Sequence, residues 1–232
     1  MLIAIPALND NYIWCYSRDN VHALLIDPAE VAPVEAFLAK SSLTLEAILI
    51  THNHADHTGG VAQLRKAYPH VPVYAPAEVD SHLVTHKVEE GIYHTAHYSL
   101  NILATEGHTA GHISYVVDNH LFCGDTLFSL GCGRVFTGDY AQMFTSLEKL
   151  KQLPDETIVC PAHEYTLSNL RFAQSIEHSA ELATYATKIE ALRQQQQPTV
   201  PTTLGVEKAL NPFLRCQNVA QFTALRQAKD RF

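Results

Sequence analysis

Short apolar runs broken by turn-forming residues fill the first 165 positions. Ala23-Leu24-Leu25-Ile26 runs into Asp27-Pro28, which predicts a strand closed by a turn. Val31, Val34, Phe37 and Leu38 are spaced as on one helix face, so Val31 to Lys40 reads as a helix. Ala47 to Thr51 is a wholly buried strand, and Gly59-Gly60 leads into a helix reaching about Tyr68. Strands follow at 71–74, 98–104 and 112–117, and Asp118-Asn119 turns the last of these into a hairpin with 120–123. A helix over 141–153 and a strand over 157–160 complete this part. Mixed strands and helices over such a length predict stacked sheets flanked by helices.

Beyond Tyr165 the period becomes helical. Helices are expected over 167–177, over 180–197 and over 218–229, with Pro198 stopping the second and 198–201 as a connector. The expected division is a catalytic unit over residues 1–165 and a mostly helical unit over 166–232.

Composition narrows the function. With 47% apolar residues among 232, the chain can bury a core without disulfides. A net charge of −8 argues against a nucleic-acid binder and against docking on an anionic membrane. No apolar run approaches the roughly 18 residues of a membrane span, and the start does not read as a signal peptide. The five cysteines are scattered, which predicts reduced thiols in a reducing compartment, the cytoplasm. A monomer is the expectation.

The 14 histidines are in excess, and they cluster. Thr51-His52-Asn53-His54-Ala55-Asp56-His57 directly follows the buried strand, a usual place for a site in α/β folds. Neutral imidazole and carboxylate are ligands of Zn²⁺ and related divalent ions. One loop cannot close two sites, so further ligands are sought at other strand ends. Gly107-His108-Thr109, Gly124-Asp125-Thr126 and Ala162-His163-Glu164 each stand just past an apolar strand. The set is five His and two Asp, about what two ions sharing one carboxylate require. His112 is expected to hydrogen-bond a ligand rather than be one. His82 and His86 lack a third ligand, and His22, His70, His94, His97, His120 and His178 are expected to be surface or turn residues.

The stretch 51–57, with His108, Asp125 and His163 following in order, resembles the T-H-x-H-x-D-H signature of the metallo-β-lactamase superfamily. That resemblance implies a four-layer αβ/βα sandwich with a dinuclear centre. His52, His54 and His108 would hold one ion, Asp56, His57 and His163 the other, and Asp125 would bridge them. Zn²⁺ is the first choice, and Fe or Mn also suits such ligands.

Further stretches are similar to the hydroxyacylglutathione hydrolase (glyoxalase II) family. They are Asn9 to Tyr12, Gly107 to Ile113, Phe122 to Phe128, Ser129 to Arg134, His163 to Thr166, Asn211 to Arg215 and Leu225 to Phe232. The resemblance spans nearly the whole chain. It implies hydrolysis of S-D-lactoylglutathione to D-lactate and glutathione, the second step of methylglyoxal detoxification. A hydroxide shared by the two ions and held by Asp125 would attack the thioester, and a thiolate leaves without a dedicated general acid. Glutathione carries two carboxylates, so an acidic chain must gather local cations for it. Arg226 and Lys229, three apart on a helix, are placed to clamp a carboxylate, with Arg134 as another cation. Tyr165 would offer its hydroxyl to the substrate. Phe136 stands where the family often has an aromatic residue, and it has no hydroxyl to offer.

Three rivals differ in what they need. A glutathione-persulfide dioxygenase of the same superfamily would use one iron and generally lacks the helical tail. A β-lactamase or ribonuclease member would want a secretion signal or a basic arm. A non-catalytic metal-binding scaffold would typically have lost a ligand, and all seven are present.

Overall fold

The computed structural model describes residues 1–232. Two six-stranded sheets face each other. The first runs in the order β1 (Leu2–Ala7), β2 (Asn11–Tyr16), β3 (His22–Ile26), β4 (Thr44–Leu49), β5 (Val73–Ala75) and β6 (His86–Lys87). β1 to β3 pair antiparallel and β3 to β6 pair parallel. The second is built from β7 (Gly91–His94), β8 (Ser99–Ala104), β9 (Ile113–Val117) and β10 (His120–Gly124). A two-stranded hairpin, β11 (Leu127–Phe128) with β12 (Gly131–Cys132), stands apart. β13 (Ile158–Pro161) then joins β10 in parallel, and β14 (Thr202–Thr203) closes the sheet beyond it.

Alternation along the strands sorts side chains into layers. Tyr12, Trp14 and Tyr16 of β2 face inward with Leu100, Ile102 and Tyr115 of the second sheet, forming the core between the sheets. Ile13 and Cys15 face outward, beneath α1 (Val31–Leu38) and α3 (Val61–Ala67), where Val34, Val61 and Leu64 are buried, and the short α2 (Ala55–Thr58) precedes α3. On the second sheet Leu121 and Cys123 meet Met143, Leu147 and Leu150 of α4 (Tyr140–Lys151). The expected four-layer αβ/βα sandwich is therefore present. α5 (Thr166–Ile176), α6 (Ala180–Gln194), α7 (Leu204–Leu210) and α8 (Val219–Asp230) form the tail, and Phe213 and Phe222 seat it on the α4 side.

Three features differ from the sequence expectation. The N-terminal hairpin β1–β2 was not anticipated, because its strands carry Pro6 and a polar Asn11 amid the apolar positions. A separate short helix, α2, precedes the Gly59-Gly60 pair, whose helix propensity is low, and α3 follows the pair as expected. The connector after Pro198 leads straight into β14, so the tail donates an edge strand to the second sheet. All five cysteines are free and buried, as composition suggested.

The parallel connections through α1, through α2 and α3, and through α4 carry the C-terminal ends of β3, β4, β10 and β13 to one edge of the sandwich. The loops that follow them converge there.

Candidate metal centre

β4 is buried from Ala47 to Leu49 and feeds the buried Ile50, Thr51 and His52, so the loop that carries the histidine cluster leaves a fixed anchor. Two sets of side chains meet beyond it. In the first, His54 Nδ1 lies 3.0 Å from His52 Nε2 and 3.1 Å from His108 Nε2, while Asp125 Oδ2 lies 3.4 Å from His108 Nε2. In the second, Asp56 Oδ2 lies 3.5 Å from His57 Nε2 and 3.4 Å from His163 Nε2. The other oxygen of Asp125, Oδ1, faces this second set, 3.4 Å from His57 and 3.3 Å from His163. One carboxylate thus spans both sets.

Outer hydrogen bonds fix which ring nitrogens face the centre. The Thr51 hydroxyl donates to Asp27 Oδ2 at 2.7 Å, so it accepts from His52 Nδ1 at 3.0 Å. His108 Nδ1 donates to the Arg134 carbonyl at 2.9 Å. His57 Nδ1 donates to Asp27 and His163 Nδ1 to Asp10, both at 2.9 Å. Each of these rings therefore turns Nε2 inward. His54 Nδ1 can donate to only one of its two neighbours, so lone pairs face each other unless a cation lies between them. His57 Nε2, His163 Nε2 and Asp125 Oδ1 are buried with no hydrogen-bond partner. Buried polar atoms are rarely left so. Imidazole nitrogens and carboxylate oxygens in this arrangement fit two divalent ions, with the remaining ring N–H groups held as metal-binding histidines usually hold them.

His112 is not in either set. Its Nε2 accepts from the Asp125 amide at 3.1 Å, so it orients the shared carboxylate through the backbone. Gly124 and Gly133 permit this packing. Gly124 has φ of 48°, and a Cβ there would come within 2.4 Å of Thr51 Oγ1. A Cβ on Gly133 would sit 1.9 Å from the Asp125 carbonyl oxygen.

Electrostatics divide the rings. Burial holds His52 and His108 below the ordinary imidazole value, which keeps them neutral. Burial also opposes the His57 imidazolium, but Asp125, Asp27 and Asp56 outweigh it and push its pKa up to about 9. At about pH 7.5 a divalent ion entering the second set must displace that proton. Metal uptake is therefore expected to release protons, and affinity should rise from about pH 7 toward pH 9. Calorimetry in buffers of different ionisation enthalpy reads this directly; a heat independent of buffer would contradict it.

His54, Asp56, His108, Asp125 and His163 of these sets form the floor of a cavity of about 680 Å³. Arg134, Phe136, Tyr165, Arg226 and Lys229 all line it, and so does Arg171, which the sequence reading did not single out. Tyr165 stacks on His163 with centroids 4.6 Å apart. Phe136 is 64% exposed, and its ring centroid lies 5.2 Å from that of His108. Arg226 is buried and already engaged: it donates to the Cys132 carbonyl at 2.8 Å and to Asp230 at 2.9 Å. Lys229 donates to the Ser168 carbonyl and hydroxyl at 3.0 and 2.9 Å and has no carboxylate partner. Arg134 lies 3.9 Å from Asp230.

The tail also grips the β11–β12 hairpin. Asn211 Nδ2 donates to the carbonyls of Phe128 and Gly131 at 3.1 and 3.0 Å. Asn169 donates to Ser129 O at 3.0 Å, and Leu130 N donates to Glu207 at 2.8 Å. This gives the Asn-Pro-Phe stretch of the tail a structural role. It holds the segment whose Arg134 carbonyl orients His108.

Asp10, Asn11 and Asp27 are the supporting residues that the sequence reading missed as such. Asn11 donates to Asp56 Oδ2 at 3.2 Å. The available signal was position: Asp27, like Asp125, ends a buried strand at the same edge.

Comparison with known proteins agrees with this geometry. The metallo-beta-lactamase superfamily model matches residues 18–163, and the hydroxyacylglutathione hydrolase C-terminus model matches residues 164–232. A hydroxyacylglutathione hydrolase of Haemophilus ducreyi is 47% identical, with 100% of this chain and 99% of that protein covered. Another, from Edwardsiella ictaluri, is 46% identical at the same coverage. The ETHE1 structure from Myxococcus xanthus shares the fold, with TM-score 0.74 and 24% identity over 98% of this chain and 90% of that one. The BLEG-1 B3 metallo-β-lactamase does so with TM-score 0.72 and 24% identity over 93% and 100%. With a shared-carboxylate centre, a family tail and full-length relatives of this identity, the chain belongs to the hydroxyacylglutathione hydrolase family of the metallo-β-lactamase superfamily.

Proposed function

We propose that the chain hydrolyses S-(2-hydroxyacyl)glutathione thioesters, S-D-lactoylglutathione among them, to a 2-hydroxy acid and glutathione. The observation that carries this reading is the Asp125 carboxylate, directed by one oxygen to each of two donor sets at the floor of a cavity with cationic walls. Two divalent ions, Zn²⁺ in the first instance, bring the pKa of water toward neutrality and polarise the thioester carbonyl when bound.

The residues have separate roles in this reading. His52, His54 and His108 would hold one ion, Asp56, His57 and His163 the other, and Asp125 would contribute one carboxylate oxygen to each. Asp10 and Asp27 keep His163 and His57 in the binding tautomer, and Asn11 steadies Asp56. The leaving group is a thiolate, stable near neutral pH, so no side chain needs to protonate it. Tyr165 fixes the His163 ring by stacking and presents its hydroxyl to the cavity. A one-iron oxygenase needs only one donor set; the buried, unpartnered atoms of the second favour the hydrolase.

Charge accounting ranks the cations. Asp230 neutralises Arg226 and lies near Arg134, whereas Lys229 has no carboxylate partner and is free to meet a glutathione carboxylate. Arg226 then serves by holding the Cys132 carbonyl and the hairpin. Charge-assisted hydrogen bonds contribute about 1.5–3 kcal/mol, so Lys229→Ala should raise KM for glutathione thioesters about 10- to 100-fold. The KM of a simple thioester without the tripeptide should be unchanged. Steady-state kinetics on both substrates tests the reading; equal rises on both, or no thioester hydrolysis by the wild type, would contradict it.

Units over 1–165 and 166–232 divide the work, the first holding the ions and the second the peptide. A monomer is the reading for the oligomeric state. No helix is long and apolar enough to cross a membrane. Free, buried thiols suit a cytoplasmic site of action.

A further inference from the structure

The loop between β8 and β9, residues 105–112, carries His108 and is held from both sides. From the second sheet's side, the Ser146 hydroxyl of α4 donates to the Glu106 carbonyl at 2.7 Å, and the Thr137 hydroxyl donates to the Gly107 carbonyl at 2.8 Å. From the first sheet's side comes Glu78, in the loop after β5. Its Oε1 accepts from the Thr109 hydroxyl at 2.6 Å, and its Oε2 accepts from the Gly111 amide at 2.8 Å. Residues 109–111 make no other hydrogen bond outside their own loop. The approach is close: a Cβ on Gly111 would lie 3.1 Å from both Cγ and Oε2 of Glu78.

The backbone that carries Glu78 is itself fixed. Pro76 is buried, and Val79 is buried in the core beneath α1 and α3. Lys87, at the end of β6, donates its ammonium to the carbonyls of Pro76 and Ala77 at 3.4 and 3.2 Å, and to that of Val79. The chain on either side of Glu78 is thus wrapped round one cation, which sets where the carboxylate stands. Hydrogen bonds to an ionised carboxylate are of the stronger kind. Thr109, next to His108, is buried, so water does not readily replace its bond.

We propose that Glu78 is a positioning residue for the ion held by His52, His54 and His108. This inference rests on the metal-centre reading above. The bond from His108 Nδ1 to the Arg134 carbonyl sets how the ring is turned. It does not set how far the ring stands from His52 and His54, which come from the other sheet. By gripping Thr109 and Gly111, Glu78 ties the His108 backbone to that sheet. The second donor set does not depend on this tie, because Asp27, Asp10 and Asn11 support His57, His163 and Asp56. The effect is therefore confined to one of the two ions.

The test measures bound Zn²⁺ and both affinities by chelator competition in the wild type, Glu78→Ala, Glu78→Gln and Thr109→Val. Alanine removes both bonds. Glutamine keeps them, since its carbonyl accepts from Gly111 N while its N–H₂ donates to the Thr109 hydroxyl oxygen. Thr109→Val keeps the bulk and removes one bond from its other end. In Glu78→Ala one equivalent is expected to bind about tenfold more weakly and the other within about twofold of the wild type, the scale for loss of an outer support of a metal ligand. Thr109→Val should weaken the same step about threefold, and Glu78→Gln should restore it. Turnover of Glu78→Ala should fall at limiting Zn²⁺ and return in excess, with KM unchanged. Unchanged affinities in Glu78→Ala, or equal weakening of both steps, would overturn this proposal alone. Fewer than two equivalents in the wild type would overturn the metal-centre reading with it.

Discussion

Asp125→Asn is expected to lower kcat/KM for a 2-hydroxyacylglutathione by at least about 1,000-fold. The substitution keeps the shape of the side chain and removes its charge. Asp125 is the only residue with an oxygen facing each donor set, so its neutral amide weakens both sites at once. An Asn also turns an N–H₂ donor toward atoms that must accept an ion. His57 and His163 would then lose the carboxylate that favours their charged forms. Loss should therefore appear in bound metal as well as in rate. A variant that retained both ions and lost less than about tenfold in kcat/KM would show that Asp125 does not join the sites.

Asp27→Ala is expected to destabilise the protein by about 3–5 kcal/mol, the usual cost of stranding the partners of a buried charge. Asp27 is 4% exposed and accepts three hydrogen bonds: from Thr51 N at 2.8 Å, Thr51 Oγ1 at 2.7 Å and His57 Nδ1 at 2.9 Å. Truncation leaves all three donors without a partner in the core. It also frees the Thr51 hydroxyl, which sets the His52 tautomer, so the defect reaches a ring in each donor set. Asp27→Asn is the milder probe. Its amide can satisfy two of the three donors at most, and metal affinity should fall about 10- to 100-fold, as for loss of an outer partner of a metal ligand. Thermal unfolding at fixed free metal, together with chelator competition, measures both effects. A loss below about 1 kcal/mol for Asp27→Ala would mean that the loop holds its shape without this residue.

The candidate ligands were legible in the sequence because chemistry and position coincide in them. His52, His54, Asp56 and His57 follow one buried strand, and His108, Asp125 and His163 each stand past another. Their supports were less legible. Asp27 precedes Pro28 and reads as a turn, since nothing in a linear pattern shows that the end of β3 lies beside the end of β4. Asp10 and Asn11 occupy a polar stretch between two strands whose pairing depends on contacts across the sheet. The tail's helices were visible from periodicity, and β14 was not, because two residues are too short to show alternation. Arg226 is the instructive case. Its spacing from Lys229 placed both on one face of a helix, but spacing does not reveal that Asp230 and the Cys132 carbonyl already occupy its guanidinium. The tie from Glu78 to Thr109 and Gly111 was equally hidden, because it joins loops of two different sheets.

The central claim is that two ions joined by Asp125 make the thioesterase. The most direct measurement strips the metal with a chelator, then follows hydrolysis of S-D-lactoylglutathione as Zn²⁺ is restored and bound metal is counted in the same samples. Activity should be absent without metal and should reach its maximum as the second equivalent binds. Hydrolysis that survives complete stripping, or that is full with one equivalent, would contradict the account.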